Sequence, residues 1–191
     1  KMFTFVVAFV CLVAVASAQN MTVPFNFPLF KQCDPKWGDD IMVTTTICDV
    51  GCLMSSTAMG LAGTEIPIKP RPEIDSTPKT LNEWLKNNDG YDDSNDLIET
   101  QVPLIDPSRI TWPEDAMHKT NDLSYDTVRS YLDKGRIVIA NVNNGGHFVL
   151  LVGYSETDGD TFAVNDPGYD RNTYSYKDDV VGYRIFDMVR E

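Results

Sequence analysis

Two cysteines lie four positions apart in the segment ICDVGCLMSSTAM, residues 47–59, and only the second combines the features of a nucleophile. Cys52 follows Gly51 and opens a run of helix-forming residues. The positive end of a helix dipole and the free amides of the first helical turn stabilise a thiolate. A preceding glycine allows a sharp turn and leaves the sulfur accessible. Cys52 is therefore the candidate nucleophile, and the structural alternative is a small buried hydrophobic residue.

Cys48 precedes the predicted helix, which makes it the better partner for Cys33. A Cys33–Cys48 disulfide would close a loop of about 16 residues and stabilise the fold by about 3 kcal/mol. A disulfide between Cys48 and Cys52 is the alternative, and it would remove the nucleophile. Of the 4 cysteines, Cys11 is expected to leave with a signal peptide, so one of the remaining three stays unpaired.

The chain has 2 histidines, and His147 is the better candidate for a general base. It follows two glycines and begins the apolar run HFVLLVGY, residues 147–154, which predicts a strand. Asp166 ends the next predicted strand, residues 161–166, so a hairpin would place its carboxylate beside His147 and orient the imidazole. The structural alternatives are a packed strand histidine and an ordinary Asp-Pro-Gly turn. His118, in the polar segment EDAMHKTN, is predicted to be a solvated loop residue.

A thiolate that attacks a carbonyl also needs hydrogen-bond donors for the oxyanion. The backbone amide of Cys52 can supply one hydrogen bond, and Gln32, in FKQCDPKWG, is the candidate for a side-chain donor. The predicted Cys33–Cys48 bridge would hold Gln32 near the helix that begins at Cys52. The disulfide would then position the oxyanion site as well as stabilise the chain.

Helical and strand patterns occupy different halves of the sequence. The predicted helices cover residues 52–62, 78–88 and 125–134, and the predicted strands cover residues 136–142, 147–154, 161–166 and 182–189. Thr80 and Glu83 are expected to form a capping box, and Ser124 to cap the third helix. The turn sequences NNGG and ETDGD predict antiparallel hairpins. Helices followed by such a sheet predict an α+β domain, and residues 87–121 are predicted to form a long irregular loop.

The beginning of the chain predicts secretion. Residues 1–18 combine a lysine, an apolar run and the small-residue pattern Ala-Ser-Ala, as a cleaved signal peptide does. Residues 19–191 then fit a single domain. Asn20 begins the sequon Asn-Met-Thr and is the candidate glycosylation site. We expect a secreted or extracellular glycoprotein that is free of the membrane after signal cleavage, with an endolysosomal compartment as the alternative.

The charge of the chain restricts its partners. Lys and Arg number 16 and Asp and Glu number 28, which gives a net charge of −12 at pH 7. Nucleic acids and anionic membrane surfaces are therefore disfavoured as partners, and a cationic peptide is weakly favoured. No cofactor and no metal ion is predicted.

Five segments, taken in order, are similar to a known family: FKQCDPKWG, CDVGCLMSSTAMGLAG, TPKTLNEWLKNNDGY, GGHFVLLVGY and VNDPG. They resemble the papain-like cysteine peptidases of the bacteriocin-processing type, the double-glycine leader peptidase-like family. The resemblance implies an oxyanion-hole glutamine at Gln32, a nucleophile at Cys52, a general base at His147 and an orienting carboxylate at Asp166. It also implies a papain-like fold, in which the helix that carries the cysteine packs on an antiparallel sheet that carries the histidine. Transporter-fused members have membrane and nucleotide-binding domains without counterpart in this sequence, so their substrate is not carried over.

The predicted function is thiol-dependent hydrolysis of peptide bonds in a peptide or protein substrate, through a thioester. One alternative is a catalytically silent papain-like module for binding or structure, with Cys52 and His147 as core residues. The other is an acyltransferase that passes the acyl group of the same thioester to an amine. The complete set of four residue types favours an enzyme over a silent module.

Overall fold

A computed structural model describes residues 20–68 and 75–190 of the chain. The predicted signal peptide, residues 1–18, lies outside the described residues. In chain order the elements are β1 (Met21–Thr22), α1 (Ile47–Val50), α2 (Cys52–Gly63), α3 (Pro78–Asn87), a 3-10 helix (Glu99–Ile105), β2 (Ile110–Thr111), β3 (Met117–His118), α4 (Tyr125–Asp133), β4 (Ile137–Val142), a second 3-10 helix (Asn143–Gly145), β5 (His147–Ser155), β6 (Thr161–Asn165), β7 (Thr173–Ser175) and β8 (Gly182–Met188).

The eight strands form one antiparallel sheet. Its main order is β2-β8-β4-β5-β6-β7, while β1 pairs with β5 and β3 pairs with β8. The predicted hairpins β4–β5 and β5–β6 are confirmed, as is the combination of helices with an antiparallel sheet. In the β5–β6 hairpin, Leu150 lies opposite Asn165. The beginning of β5 and the end of β6 therefore lie at the same edge of the sheet.

Both faces of the sheet are buried. Ile137 and Ile139 of β4 belong to one core cluster with residues of α2 and α3, whereas Val138 and Ala140 belong to a second cluster with residues of α4. Because successive side chains of a strand point to opposite faces, α4 covers the face opposite to α2 and α3. A strand that is buried on both faces has a continuous apolar sequence, as IVIANV does.

The helix α2 runs through the core. Nine of its 12 residues are buried, because apolar and small side chains occur all around it. The three partly buried residues are Cys52 and Leu53 in the first turn and Ala62 in the last turn. The helix is therefore held firmly along its length while its N-terminus, with Cys52, remains accessible.

Two details of the predicted secondary structure are wrong. The capping box of α3 is formed by Thr77 and Thr80, not by Thr80 and Glu83, because Thr77 is the N-cap and Pro78 the first helical residue. The predicted irregular loop over residues 87–121 contains the 3-10 helix, β2 and β3. These strands have two residues each, which is too short for a period to show in the sequence. The predicted cap of α4 is confirmed, since Ser124 accepts a hydrogen bond from the amide of Thr127.

Candidate active site

Cys52 is the first residue of α2 and follows a break between two helices. Thr46 caps α1 by accepting a hydrogen bond from the amide of Asp49, and Gly51 both ends α1 and precedes α2. A Cβ atom on Gly51 would lie 2.5 Å from the carbonyl oxygen of Ile47, so the break requires glycine. No side chain among the described residues caps the N-terminus of α2. Its first amides are therefore available to a thiolate or to an oxyanion.

The other cysteine of the segment is bridged. Cys48 forms the predicted disulfide with Cys33, and Cys52 is the free cysteine of the described chain. The alternative bond between Cys48 and Cys52 is not formed. The two cysteines therefore have different roles, one in a bridge and one as a free thiol at a helix N-terminus.

His147 begins β5 and is 5 % exposed. Its Nε2 lies 2.7 Å from Oδ1 of Asp166, which follows β6. The predicted proximity of these two side chains is thus confirmed, while their catalytic roles stay predictions. A carboxylate only accepts hydrogen bonds, so Nε2 carries the proton of this contact. Nδ1 is then the nitrogen left for Cys52, whose interaction with His147 raises the pKa of the histidine.

The charged form of His147 is stabilised. Burial lowers the pKa of His147, but the hydrogen bond to Asp166, the hydrogen bond and charge of Cys52, and the charge of Asp166 together raise that pKa to about 9. Burial raises the pKa of Asp166. Hydrogen bonds from His147 and from three other donors outweigh this effect and hold the carboxyl pKa below its ordinary value. The arrangement therefore favours an imidazolium held between a carboxylate and the sulfur.

Asp166 is held by four hydrogen bonds and is 2 % exposed. Its Oδ1 accepts from His147, from the amide of Gly168 at 2.8 Å and from the amide of Tyr169 at 2.9 Å. Its Oδ2 accepts from the hydroxyl of Tyr174 at 2.7 Å. Asp166 thus begins the Asp-Pro-Gly turn that was its structural alternative, and the same turn fixes the carboxylate against His147.

The turn after Asp166 also shapes the surroundings of the imidazole. A Cβ atom on Gly168 would lie 2.8 Å from Cε1 of His147, so glycine is required for the close approach. The ring of Tyr169 meets that of His147 edge to face, with centroids 4.9 Å apart, although Tyr169 is 57 % exposed. One loop therefore supplies hydrogen bonds to the carboxylate and a wall beside the histidine.

Gln32 lies next to the disulfide and is 8 % exposed. Its Nε2 donates to the carbonyl oxygen of Cys48 at 2.7 Å, and its backbone amide donates to the carbonyl oxygen of Pro167 at 2.9 Å. An amide nitrogen has two hydrogens, so one remains for a further acceptor. Oε1 has no partner among the described residues. Gln32 is thus tied both to the segment before α2 and to the Asp166 turn.

A cleft of about 460 Å³ joins these groups. It is lined by Gln32, Cys33, Cys48, Asp49, Val50, Cys52, Asp96, Gly145, Gly146, His147, Phe148, Gly168 and Tyr169. Three of the four predicted site residues, Gln32, Cys52 and His147, line the cleft. Asp166 lies behind His147. Among the described residues that line this cleft, Asp49 and Asp96 have acidic side chains and none is lysine or arginine.

Sequence reasoning missed two residues of this arrangement. Lys31 donates through Nζ to the carbonyl oxygens of Asp166 at 3.2 Å and of Tyr169 at 2.6 Å, which ties the Gln32 segment to the turn. Tyr174 reaches Asp166 from β7, a strand of three residues. Tyr174 lies outside the five segments that resemble the family, and Lys31 lies in one of them, FKQCDPKWG, without a predicted role. Only its nearness to Gln32 could have drawn attention to Lys31.

The prediction for His118 is wrong. His118 lies in β3 rather than in a solvated loop, its side chain is 14 % exposed, and its Nδ1 is 2.8 Å from Oδ1 of Asp122. It pairs in β3 with Tyr183, whereas His147 pairs in β5 with Val142. His118 does not line the cleft.

The structure also bears on the glycosylation site, on membrane spans and on metal ions. Asn20, the candidate glycosylation site, is exposed. Within residues 20–68 and 75–190, no helix has the length and apolar character that a membrane span needs. In the same part of the chain, no three His, Cys, Asp or Glu side chains lie close enough together to hold a metal ion.

The site consists of a free cysteine at a helix N-terminus and a histidine, bound to an aspartate, on an antiparallel sheet, which are the features of a thiol hydrolase. Comparison with known families agrees. A sequence model of the Peptidase_C39 like family matches residues 25–186. The chain therefore belongs to this C39-like cysteine peptidase family. No curated protein and no solved structure matches it.

Proposed function

We propose that the chain is a secreted cysteine peptidase that hydrolyses peptide bonds through a thioester on Cys52. The observation that carries this proposal is the position of His147, whose Nε2 lies 2.7 Å from Oδ1 of Asp166 and which lines the same cleft as Cys52. A nucleophile, a base and a group that orients the base are the minimal set for nucleophilic catalysis of acyl transfer. Membership of the C39-like family supports the same chemistry.

Acylation follows from this geometry. The Cys52 thiolate attacks the carbonyl carbon of the scissile bond, and the carbonyl oxygen becomes an oxyanion. The backbone amide of Cys52 and Nε2 of Gln32 donate hydrogen bonds to that oxygen. The carbon–nitrogen bond then breaks, and the His147 imidazolium gives its Nδ1 proton to the departing amine. The products of this half-reaction are the free amine and a thioester on Cys52.

In deacylation His147 acts as a base, whereas in acylation it acts as an acid. Neutral His147 takes a proton from a water molecule, and the resulting hydroxide attacks the thioester carbon. The same two donors stabilise the second oxyanion. The carbon–sulfur bond breaks, a carboxylic acid leaves, and Cys52 returns as a thiolate beside an imidazolium. Asp166 stays ionised throughout and holds the imidazole in the required orientation.

The papain-like layout belongs to the same proposal. Its support is that α2 carries the free cysteine and packs against β5, the antiparallel strand that carries His147. The assignment to the bacteriocin-processing subfamily rests on the resemblance of the five sequence segments.

We propose a peptide or protein substrate with a basic residue near the scissile bond. Asp49 and Asp96 line the cleft, and both are exposed. Three hydrogen bonds from Thr45 and Thr46 go to Oδ2 of Asp49, which keeps that carboxylate in a fixed place. A lysine or arginine side chain of the substrate would be attracted to these charges.

Secretion is also part of the proposal. The Cys33–Cys48 disulfide supports an oxidising compartment, because disulfides rarely persist in the cytosol. The exposure of Asn20 supports a glycan at that position. Removal of N-linked glycans from the protein secreted by a eukaryotic host should lower its mass, and Asn20→Gln should abolish that change.

The test of the proposed activity is digestion of a peptide library by the mature protein and by a Cys52→Ala variant, read by mass spectrometry. The proposal predicts fragments whose summed mass exceeds that of the parent peptide by one water, formed by the wild type only. Fragments joined to an added amine, with no water-derived acid, would indicate an acyltransferase. Equal peptide profiles with both proteins would indicate a silent module and contradict the proposal.

A further inference from the structure

Tyr174 is the group behind Asp166 on the side away from His147. Its hydroxyl lies 2.7 Å from Oδ2 of Asp166, and the residue is 2 % exposed. Three donors hold Oδ1, whereas Tyr174 is the one donor to Oδ2 among the described residues. A carboxylate fixed at one oxygen can still turn about that oxygen. A donor at the second oxygen fixes its plane.

The direction of this hydrogen bond is set by its chemistry. Burial, and then the hydrogen bond and charge of Asp166, raise the pKa of Tyr174 well above its ordinary value. The phenol therefore keeps its proton at every pH at which the protein would work, and an ionised carboxylate can only accept. Tyr174 thus donates to Asp166 throughout the working range.

Tyr174 is itself held in place. It belongs to β7 and lies opposite Phe162 of β6, so its position is fixed relative to the strand that leads to Asp166. The guanidinium carbon of Arg171 lies 3.7 Å from the centroid of the tyrosine ring, and Arg171 also forms an ion pair with Asp179. The hydroxyl therefore has little freedom to follow a moving carboxylate.

We propose that Tyr174 is a positioning residue for the reaction, acting through Asp166 to align His147 with Cys52. The proposal rests on the proposed function, because alignment matters only if His147 moves protons. A hydrogen bond to a charged group contributes about 1.5–3 kcal/mol, and each 1.4 kcal/mol corresponds to about tenfold in rate. Tyr174→Phe should therefore lower kcat about tenfold or more and leave KM within about twofold, since the ring and the cleft are unchanged.

The pKa of His147 distinguishes a tyrosine that positions Asp166 from one that only stabilises the fold. The loss of a merely structural hydroxyl would not change that pKa. If Tyr174→Phe lets the carboxylate turn away, the contact between Asp166 and His147 weakens and the pKa of His147 falls. If the hydroxyl only withdrew charge from a carboxylate fixed by other groups, its loss would leave that pKa unchanged or raise it. The direction of the change therefore decides between positioning and simple charge withdrawal.

The experiment is an NMR titration of the imidazole carbons together with steady-state kinetics. The chain has 2 histidines, so His118 serves as an internal reference. Tyr176→Phe is the matched control, because it removes a hydroxyl that donates to the carbonyl of Leu123 instead. We expect Tyr174→Phe, but not Tyr176→Phe, to lower both kcat and the titration midpoint of His147 while His118 is unchanged.

An unchanged kcat, or a His147 midpoint that stays or rises, would overturn the role of Tyr174. The titration needs no substrate, so it also separates this proposal from the proposed function. A wild type that cleaves no peptide would overturn the peptidase proposal, and a midpoint that stays in Tyr174→Phe would overturn the positioning contact independently.

Discussion

The two walls of the cleft hold their functional groups in different ways. On the wall built by the sheet, His147 and Asp166 are buried, and four hydrogen bonds fix the carboxylate. On the wall built by α2 and the segment before it, Cys52 is half-buried and free, and Nε2 of Gln32 keeps one hydrogen after its bond to the carbonyl oxygen of Cys48.

This difference matches what each wall must do in the proposed reaction. The base and its orienting carboxylate must keep one geometry through both half-reactions, so their hydrogen bonds are complete before substrate arrives. The nucleophile and the oxyanion donors must form new bonds with the substrate, so their bonding capacity is left open. The sheet wall is therefore preorganised, and the helix wall is completed by the substrate.

The largest effect should come from the sheet wall. His147→Ala removes both the proton acceptor and the charge beside the thiolate, so turnover should fall by at least about 1,000-fold. His118→Ala is the matched control, because His118 does not line the cleft, and it should stay within a few-fold of wild type. Initial rates on a cleaved peptide measure both. Comparable losses in the two variants would show that His147 has no special role.

The next effect should come from the helix wall. Gln32→Ala removes one of two donors to the oxyanion, which should lower kcat by about 100-fold. The variant also loses the hydrogen bond to Cys48, which should cost about 1 kcal/mol of unfolding free energy. Gln101→Ala, in the 3-10 helix, is the control for both measurements. Activity of Gln32→Ala within a few-fold of wild type would remove Gln32 from the oxyanion site.

The pH dependence tests the sheet wall alone, because it reports on the charge of His147. The pKa of His147 is raised to about 9, so the imidazolium persists below that pH and is lost above it. The same sign applies to stability: the favourable contribution of the charged ring is complete below its ordinary pKa and disappears as the pH rises through about 9.

A profile of kcat/KM against pH should therefore have an alkaline limb near pH 9, with a rate about tenfold lower at pH 10 than at pH 8. Asp166→Asn should move this limb to lower pH, because the carboxylate that raises the histidine pKa is gone. An alkaline limb near the ordinary histidine pKa of about 6.5 would contradict a preorganised sheet wall.

The smallest effect should come from the exposed carboxylates that line the cleft, those of Asp49 and Asp96. Asp96→Asn should reduce the preference for a basic over a neutral substrate residue by about two- to fivefold, the usual range for an exposed charge pair. Asp93→Asn is the control, because Asp93 is exposed on the same loop but does not line the cleft. Competition between paired peptides at low and high salt measures the preference. Equal changes in both variants would exclude a specific role of Asp96.

Much of the scaffold was predictable because long elements have clear periods. The hairpin that brings His147 and Asp166 together follows from two apolar runs and a turn, and the Cys33–Cys48 bridge follows from the place of Cys52 at a helix start. The short strands β1, β2, β3 and β7 were not predictable, since two or three residues carry no period.

The site was predictable only in part, for a related reason. Cys52 and His147 stand out because their neighbours, glycines and a helix or strand start, are visible in the sequence. Tyr174 acts through a contact that depends on the register of β6 with β7, and Lys31 acts through carbonyl groups 135 and 138 residues away. Contacts of this kind are set by tertiary packing, and no local sequence pattern predicts them.

The central claim is that Cys52, His147 and Asp166 act as one unit, and thiol alkylation tests it most directly. Cys33 and Cys48 are bridged, so in a protein prepared without residues 1–18 iodoacetamide reports on Cys52 as long as the bridge is not reduced. We predict that Cys52 alkylates readily in mildly acidic solution, because the N-terminus of α2 and the adjacent imidazolium favour attack by the sulfur. His147→Ala should lose most of this reactivity at low pH, and Asp166→Asn should lower turnover more than it lowers alkylation. If Cys52 reacts like an ordinary thiol and His147→Ala has the same profile, the three residues do not form a catalytic unit.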